Sequence, residues 1–378
     1  MKKVAAFIRA LFSHTLFLIN IGVALWLLLC EYASNTNPAD LKYIGIVSLS
    51  TAFALLFNAL FILVWLFTRK RWRSLLSVLV LSLCYDLILP VWGLNFFSSN
   101  QMKAKVDGLK IMSWNVHGLG LYDKPADKSR PEKMFSLVEQ QQPDLFCMIE
   151  FYTNTDGSNK KASQYFKKAG YKEYRFMYDN DLGAKIYIGN AVFSKYPLSN
   201  FEEIAIDQYI KMMRCDVTLP NDKKVRLFVV HLQSFLLADK DKAFIEEVKS
   251  NTEKLEQKPG YSKTFAEKMH NAYLKRAPQA ILARAEIDKS PYPAILCADL
   301  NDVPCSYTYT TIKGNLKDAF VKKGKGLGRT YNMISPTLRI DYIFYDDSLL
   351  HLMGYESLST PALSDHNPVI ANFSLVKQ

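Results

Sequence analysis

The chain has 378 residues, a length typical of about two domains, and a formal net charge of +11. The first 104 residues contain nine Lys or Arg and three Asp or Glu, which leaves 38 basic and 33 acidic residues for the rest. This near balance argues against a domain built to bind duplex nucleic acid. The six cysteines show no CxxC or other compact spacing, which excludes a sequence-encoded zinc motif or disulfide framework.

Three long apolar segments occupy the first hundred residues, at roughly 11–30, 43–67 and 75–97. Each is close to or above the roughly 20 residues that a helix needs to cross a bilayer. A signal peptide has a shorter apolar region, so these segments are expected to remain in the protein. The sequence predicts a membrane anchor of three transmembrane helices over 1–97, a polar linker over 98–107 and a second domain over 108–378.

The distribution of basic residues predicts the orientation of this anchor. Lys2, Lys3 and Arg9 flank the first segment, and the loop at 69–73 contains four basic residues, whereas the loop at 31–42 has one Lys and two acids. Because basic loops stay in the cytoplasm, the N-terminal segment and the 69–73 loop are predicted to be cytoplasmic. The second domain is therefore expected to be extracytoplasmic, on a multi-pass protein of the cell membrane.

An ionisable residue, Asp86, interrupts the third apolar segment, with Pro90 one turn later. A charged group at that depth is a candidate functional residue. The alternative, which we favour, is an Asp that turns into the helix interface and is hydrogen-bonded there, with His14, Asn20 or Asn58 as partners.

After residue 107, strand-like and helix-like patterns alternate, which predicts a layered α/β domain. The predicted strands are 109–114, 144–149, 171–177, 184–193, 212–219, 225–230, 293–297, 340–345 and 369–374, and the predicted helices are 127–141 and 263–289. Residues 220–222 predict a hairpin turn, and Pro278 predicts a kink or break in the long helix. The charged stretch 234–262 is either a solvated helical insertion or a segment that forms a lid or touches the membrane surface.

Five polar clusters lie at or near the ends of apolar, β-rich runs. They are Ser113-Trp114-Asn115, Cys147-Met148-Ile149-Glu150, Cys297-Ala298-Asp299-Leu300-Asn301, Arg339-Ile340-Asp341-Tyr342 and Ser364-Asp365-His366-Asn367-Pro368. In this order and setting they resemble the endonuclease/exonuclease/phosphatase superfamily of metal-dependent phosphoesterases, over roughly residues 108–376. The resemblance implies a four-layered α/β sandwich, two facing β-sheets flanked by helices, here preceded by the three transmembrane helices.

The residue types fit phosphate ester hydrolysis on chemical grounds. Glu150 ends an apolar strand, where a carboxylate is costly unless a cation lies beside it. Asp299 and Asn301 are two residues apart, so in extended backbone their side chains point the same way. His366 needs a carboxylate that orients its ring and stabilises its charged form. Carboxylate ligands suit Mg²⁺, with Mn²⁺ as an alternative.

The resemblance also implies a role for each residue. Glu150 would bind the metal with Asn115 and Asp365, Asp299 would align or deprotonate the attacking water, Asn301 would donate to the phosphoryl oxygens, Asp341 would orient His366, and His231 would contact or protonate the scissile phosphate. His231 departs from the abasic-site endonuclease pattern and argues against that branch. Asn190 and Arg214 are candidate phosphate-binding residues or ordinary strand residues, and His117 is interpreted as a loop residue at the pocket rim.

These features predict a membrane-anchored, Mg²⁺-dependent phosphoesterase that acts outside the cytoplasm on a lipid-derived or small phosphate ester or phosphodiester. One alternative is an extracytoplasmic nuclease, for which Lys160, Lys161, Lys172, Lys322, Lys323 and Lys325 would contact the nucleic-acid backbone. A second is an inactive binding or sensing domain, although an acceptable residue stands at every catalytic position.

Overall fold

The computed structural model describes residues 2–102, 108–121, 127, 129–154, 159–181, 186–235, 259–333, 335 and 337–375. Two six-stranded β-sheets face each other, and helices cover their outer sides. The predicted four-layered α/β sandwich is therefore confirmed.

The chain begins with a group of apolar helices. Their bounds are α1 Lys2–Asn35, α2 Ile44–Val47, α3 Thr51–Leu66, α4 Ser74–Leu83 and α5 Ile88–Val91. Two continuous stretches, Phe7–Asn35 and Ile44–Leu66, are long and apolar enough to cross a membrane. The third apolar segment is broken, because Arg71–Leu83 and Tyr85–Val91 meet at 68°, and it makes a third span only if this bent pair crosses as one.

Large apolar side chains on the outer faces of these helices are exposed. Phe7 is 68% exposed, Phe67 is 91% exposed, and most of the exposed large apolar side chains of the described residues belong to this part of the chain. Contiguous apolar surface on this scale is typical of contact with lipid. Polar groups join the helices inside: Asn20 Nδ2 donates to Ser77 Oγ (2.8 Å), and Trp65 Nε1 donates to Asn20 Oδ1 (2.9 Å).

Asp86 does not lie in the helix interface, so the favoured interpretation of this residue was wrong. It is exposed in a 3₁₀ turn, Tyr85–Leu87, at the break of the third apolar segment. Pro90 has no N–H to donate to the carbonyl of residue 86, which is consistent with a 3₁₀ turn here in place of a continued α-helix. The chain thereby brings Asp86 to the boundary with the second domain, where it lines a cavity together with Glu31 and Lys313.

The second domain contains thirteen strands among its described residues and the anchor contributes one, Gly93–Leu94 (β1). The strands of the domain are β2 Gly108–Asn115, β3 Leu145–Asn154, β4 Glu173–Asp181, β5 Ile186–Ser194, β6 Leu198–Ala205, β7 Lys211–Thr218, β8 Lys224–His231, β9 Ala294–Asp299, β10 Lys317–Asp318, β11 Lys325–Gly326, β12 Asp341–Tyr345, β13 Leu350–Ser357 and β14 Val369–Leu375. The helices are α6 Arg130–Gln141, α7 Lys160–Lys168, α8 Pro259–Asp288, α9 Tyr307–Lys313 and α10 Ala319–Lys323.

One sheet has the strand order β13-β14-β2-β3-β5-β4 and the other β10-β12-β9-β8-β7-β6. The pairs β2–β3 and β8–β9 are parallel, and the other neighbours are antiparallel. Side chains of alternate residues fill the space between the sheets, with Ile111 and Ile149 from one sheet and Val229 and Cys297 from the other. This alternation fixes which residues of each strand face the interior.

The predicted strands all lie on observed strands, and β7 and β8 form the predicted hairpin. The helix α8 continues through Pro278 without ending. The sequence did not predict β6 or β13. β6 is a sheet edge with mostly exposed or half-exposed residues, so it lacks a buried apolar run. The predicted 234–262 insertion lies mostly outside the described residues.

The anchor packs directly on the second domain. The guanidinium of Arg339 is fully buried, donates to the Pro90 carbonyl of the anchor (2.9 Å) and pairs with Asp318 (2.9 Å). Cys305 Sγ reaches the Leu87 carbonyl (3.5 Å). The domain boundaries at 97 and 108 stay predictions, although Gln101 N already donates to the carbonyl of Met353 in β13.

We expect Arg339→Met to destabilise the protein strongly. The substitution leaves the Asp318 carboxylate buried without its cation and the Pro90 carbonyl without its donor, which costs about 3–5 kcal/mol for a buried pair. Unfolding midpoints of the full chain in detergent, followed by tryptophan fluorescence, measure this loss. Lys161→Met is the matched control, because it removes an ion pair with Glu132 in which both side chains are more than half exposed. Equal midpoints for the two variants would contradict the importance of the Arg339 contact.

Candidate active site

The polar clusters of the sequence meet at one edge of the two sheets. The parallel strands β2 and β3 bring Asn115 and Glu150 to the same edge of the first sheet. In the second sheet, the parallel strands β8 and β9 end at His231 and Asp299, which lie opposite each other. The antiparallel strand β12 begins at Asp341, opposite Asp299. Strand direction therefore collects side chains that are far apart along the chain.

The buried amide of Asn115 joins the carboxylates of the two sheets. Its Nδ2 donates to Glu150 Oε1 (3.1 Å) in the first sheet and to Asp299 Oδ2 (2.9 Å) in the second. Its Oδ1 accepts from the backbone N–H of His117 (3.0 Å). All polar groups of this amide are thus used to hold neighbouring site residues.

Three site residues have left-handed backbone conformations. The φ angles are 54° at Glu150, 49° at Asn301 and 45° at His117. Glu150 lies in an irregularity of β3, which re-aims its side chain towards the site. Such conformations cost of order 1–3 kcal/mol in non-glycine residues and concentrate at functional sites.

His366 and Asp341 form a buried pair. His366 Nδ1 lies 2.9 Å from Asp341 Oδ2 and 3.7 Å from Asp299 Oδ2. The backbone of His366 is held by Trp114 Nε1, which donates to its carbonyl (2.8 Å), and by Ser364 Oγ, which accepts from its N–H (3.1 Å).

The two members of this pair influence each other's protonation. Burial alone would lower the pKa of His366, but the carboxylates of Asp341 and Asp299 outweigh it, and the pKa is raised. Burial raises the pKa of Asp341, and the adjacent imidazole opposes this shift. The ring of His366 is therefore doubly protonated and positively charged at neutral pH, because the carboxylate of Asp341 lies at hydrogen-bond distance.

His117 lies closer to the chemistry than its interpretation as a rim residue suggested. Its Nδ1 is 3.4 Å from Asp365 Oδ1 and 3.8 Å from Glu150 Oε2, so two carboxylates converge on one ring nitrogen. The sequence carried no signal of this orientation, because it is set by the left-handed backbone of the turn after β2.

His231 lies on the other side of Glu150. Its Nε2 is 3.8 Å from both Glu150 Oε1 and Asp299 Oδ2. Next to this group, Asn190 Nδ2 donates to Asp179 Oδ2 (3.2 Å). Burial raises the pKa of Asp179 to about 7, while the charges of His231 and Lys211 lower it.

Asp179 was not predicted from the sequence. Period-2 alternation alone does not place it, because the pairing of β4 with β5 shifts register at Asp179; its hydrogen bond with Asn190 places it beside the site. A carboxylate on the core face of a strand needs a functional or structural explanation.

Arg214 is not part of the cluster, which corrects its candidacy as a phosphate-binding residue. Its guanidinium pairs with Glu202 on the neighbouring strand β6. In register it lies opposite Phe228, whose side chain packs in the outer, helix-covered layer, whereas His231 shares its strand face with Val229. The period-2 alternation of β7 therefore points Arg214 away from the site.

A cavity of about 190 Å³ opens above these residues. Its polar lining comes mainly from His117, Glu150, Asn301, Asp302, Tyr331, Asp365 and His366. Asn115, Asp299 and Asp341 are buried behind this lining. Among the described residues no Lys or Arg lines the cavity. Behind the lining, Arg276 lies 3.5 Å from Asp302, whereas the carboxylates of Glu150 and Asp365 lie near imidazoles.

This composition fits a divalent cation. Glu150 and Asp365 offer hard oxygen ligands at the cavity wall, and ligand atoms of Asp299, Asp341 and His366 lie within 4.8 Å of one another. Within the described residues, Asp341 Oδ1 is buried and makes no hydrogen bond. A cluster of four carboxylates without Lys or Arg is costly unless a cation balances it.

Comparison with known proteins assigns the fold to a family. The family model described as the Endonuclease/Exonuclease/phosphatase family matches residues 112–366. The chain belongs to this family. It is therefore a metal-dependent phosphoric ester hydrolase by class, as the sequence resemblance implied. A second model, described as a domain of unknown function (DUF8431), matches residues 13–91. No curated protein matches the sequence.

Solved structures with the same fold include the human Nocturnin catalytic domain with bound sulfate, at 16% identity and a TM-score of 0.50, covering 71% of this chain and 94% of that one. A family protein from Bacteroides thetaiotaomicron has 17% identity and a TM-score of 0.50, with 72% and 96% covered. One from Beutenbergia cavernae has 17% identity and a TM-score of 0.49, with 71% and 72% covered. At these identities the likeness concerns the fold alone.

We expect Asp341→Asn to lower the pKa of His366. The neutral amide cannot stabilise the imidazolium, so the desolvation of the buried ring then dominates and its proton is lost at a lower pH. NMR titration of ¹³C-histidine-labelled protein in the presence of a chelator measures this pKa. Asp347→Asn, at an exposed position, is the matched control and leaves the titration of His366 in place. An unchanged pKa in Asp341→Asn would refute the pairing.

Proposed function

We propose that this protein is a membrane-anchored phosphoesterase that depends on Mg²⁺, with Mn²⁺ as a substitute, and hydrolyses a lipid-derived or small phosphate ester or phosphodiester. One observation carries the proposal. Four carboxylates and three imidazoles from both sheets converge beneath a single cavity that, among the described residues, has no Lys or Arg in its lining.

In this proposal Glu150 and Asp365 hold the metal, and Asn115 borders it by fixing Glu150. When bound, the metal supplies charge neutralisation for the phosphate oxygens and lowers the pKa of nearby water. Asn115 already donates to Glu150 and Asp299, so its contribution is to keep these two carboxylates at a fixed separation.

Asp299 is proposed to align and deprotonate the attacking water. Its Oδ1 accepts from Asn301 N (2.9 Å) and its Oδ2 from Asn115, so the carboxylate has one orientation. Asn301 lines the cavity, and its amide is held by the Leu232 carbonyl (3.0 Å). From this position Asn301 can donate its second amide hydrogen to a phosphoryl oxygen.

Two imidazoles, those of His366 and His231, are proposed to act on the charge that develops during the reaction. His366, kept protonated by Asp341, is proposed to stabilise the negative charge on the phosphate. His231 is proposed to supply the proton that the leaving oxygen takes up. Asn190 donates to Asp179, so we propose that it acts by holding this carboxylate, whose charge interacts with His231.

The anchor contacts support an extracytoplasmic location. Arg73 Nη1 donates to the Ser13 carbonyl, so the basic 69–73 loop lies beside the N-terminal part of α1. The second domain contacts the opposite end of the helices, near Tyr43 and Leu87. By the positive-inside rule, the first end is cytoplasmic and the domain is outside.

The nuclease alternative has less support. Lys161 pairs with Glu132, and Lys323 Nζ donates to the Ser99 carbonyl. Neither these lysines nor the other candidates for backbone contact line the cavity in the described part of the chain. Duplex binding relies on many cationic contacts around the scissile phosphate.

We expect the full chain to hydrolyse bis-p-nitrophenyl phosphate with added Mg²⁺ and to lose this activity with EDTA. Glu150→Gln, Asp299→Asn and His366→Gln should each lower kcat by about 10²-fold or more, the range expected for positioned acid–base and electrostatic groups. Glu132→Gln, which removes an exposed ion pair with Lys161, is the matched control. Unchanged rates in the site variants would defeat the mechanism, and salt-sensitive cleavage of DNA in place of small esters would favour the nuclease.

In a bacterial host, we expect alkaline phosphatase fused after Gln378 to be active. A green fluorescent protein fused at the same position, and exported by the same route, should not fluoresce. Phosphatase folds outside the cytoplasm and the fluorescent protein inside it. A phosphatase fusion placed after Arg73, in the basic loop, is the matched control and should be inactive. The reverse pattern would place the catalytic domain in the cytoplasm.

A further inference from the structure

The wall of the active-site cavity includes a residue of the membrane anchor. Leu49 lies in the 3₁₀ turn Ser48–Ser50, within the candidate membrane span Ile44–Leu66. It lines the same cavity as Glu150 and His366. A membrane anchor that served only to tether the domain would not need to contribute a residue to this cavity.

The anchor segment around Leu49 is packed rigidly on the domain. A Cβ at Gly45 would lie 2.6 Å from the ring of Tyr273 in α8, so only glycine allows this close approach. The rings of Tyr43 and His270 are 5.2 Å apart. Together with the Arg339–Pro90 hydrogen bond, these contacts hold the cavity at one place relative to the helices.

The cavity lining contains two chemically different sets of side chains. Acidic and imidazole groups form one set, and the other is apolar: Leu49, Phe235, Val303, Leu338 and Ile340. A phosphate ester with an apolar substituent matches this division, because its charged end meets the polar side and its hydrocarbon part meets the apolar wall. A free inorganic or sugar phosphate has no group for the apolar wall.

The position of Leu49 along the candidate span indicates the depth of the cavity relative to the bilayer. The turns of α3 that follow it expose Phe53, Leu56 and Phe57 to the surroundings, as expected where a helix enters hydrocarbon. If Ile44–Leu66 crosses a bilayer, Leu49 lies less than two helical turns from the start of the span, near the level where the chain passes from the headgroup region into the bilayer core. The phosphates of lipids occupy this same headgroup region.

We propose that the substrate is the phosphate ester headgroup of a membrane lipid, which enters the cavity sideways from the leaflet that the catalytic domain contacts. This inference rests on the proposed function and adds the source of the substrate. The lipid phosphate faces Asp299 and His366, and the first carbons of its lipid chain run along Leu49. Water adds to phosphorus, the phosphorus–oxygen ester bond breaks, and the released alkoxide takes up one proton and leaves as an alcohol.

The test compares lipids with water-soluble esters that have the same headgroups. The full chain is assayed in mixed micelles that contain phosphatidylethanolamine, phosphatidylglycerol or phosphatidic acid, and separately with glycerophosphoethanolamine, glycerophosphoglycerol, glycerol phosphate and bis-p-nitrophenyl phosphate. Phosphorus NMR follows the products. We expect at least one lipid to be hydrolysed with a kcat/KM about 10²-fold above that of its soluble counterpart, since the apolar wall then contributes to binding.

The outcomes separate the two proposals. Hydrolysis of soluble esters without hydrolysis of any lipid would overturn the lipid inference and leave the proposed function in place. Hydrolysis of neither class would remove the proposed function as well. Lipid rates that depend on the mole fraction of lipid in the micelle, at constant bulk concentration, would support access from the membrane plane.

Leu49→Asp tests the wall itself. We expect the ratio of the lipid rate to the bis-p-nitrophenyl phosphate rate to fall about 10-fold or more, the factor expected for loss of one apolar contact. Leu49→Met, which keeps an apolar side chain, should retain most of the ratio. Tyr209→Asp, at an exposed position outside the cavity lining, is the matched control. An unchanged ratio in Leu49→Asp would contradict the placement of the lipid, and if this variant does not fold, the wild-type comparison still decides.

Discussion

The structure of the site depends on one amide, the side chain of Asn115, which donates to Glu150 in the first sheet and to Asp299 in the second. Two carboxylates repel each other at short distance, and a shared donor between them offsets part of this repulsion. Because the amide is buried, the interaction is screened little by water. The separation between the sheets at this edge, and hence the size of the cavity above it, is thus tied to a single hydrogen-bonding group.

A second constraint acts from the membrane side. Arg339 stands two residues before Asp341 on the chain and donates to the anchor carbonyl of Pro90. The hydroxyl of Tyr342 in β12 donates to the carbonyls of Arg339 and Asp302, so the start of β12 is hydrogen-bonded to the segment that follows β9. The anchor and the catalytic groups therefore share buried polar contacts. In this arrangement the helices are part of the scaffold of the active site as well as its attachment.

Sequence reasoning succeeded where a residue's position on a strand was decisive, as for Asp299 and Asp341, which end β9 and begin β12. Glu150 was predicted at a strand end but lies inside β3, at an irregularity of the strand. It failed where orientation depended on a partner strand or a turn. The guanidinium of Arg214 is a suitable phosphate-binding group, but it lies on the face of its strand that is turned away from the site and pairs with Glu202. His117 is aimed at Asp365 and Glu150 by a left-handed turn that the sequence does not announce. Asp86 is exposed at the break of the third apolar segment, which is bent at 68° and not continuous as the sequence predicted.

The sequence by itself determined the α/β sandwich, the apolar helices that precede it and the order of the acidic, amide and imidazole residues along the chain. Strand periodicity and segment length are local properties, so they can be read from neighbouring residues. Only the tertiary structure decided that Asp179 lies beside His231, that Arg339 bonds to the anchor and that Leu49 lines the cavity. These contacts join residues many positions apart, and the packing of whole elements, which no local pattern encodes, brings them together.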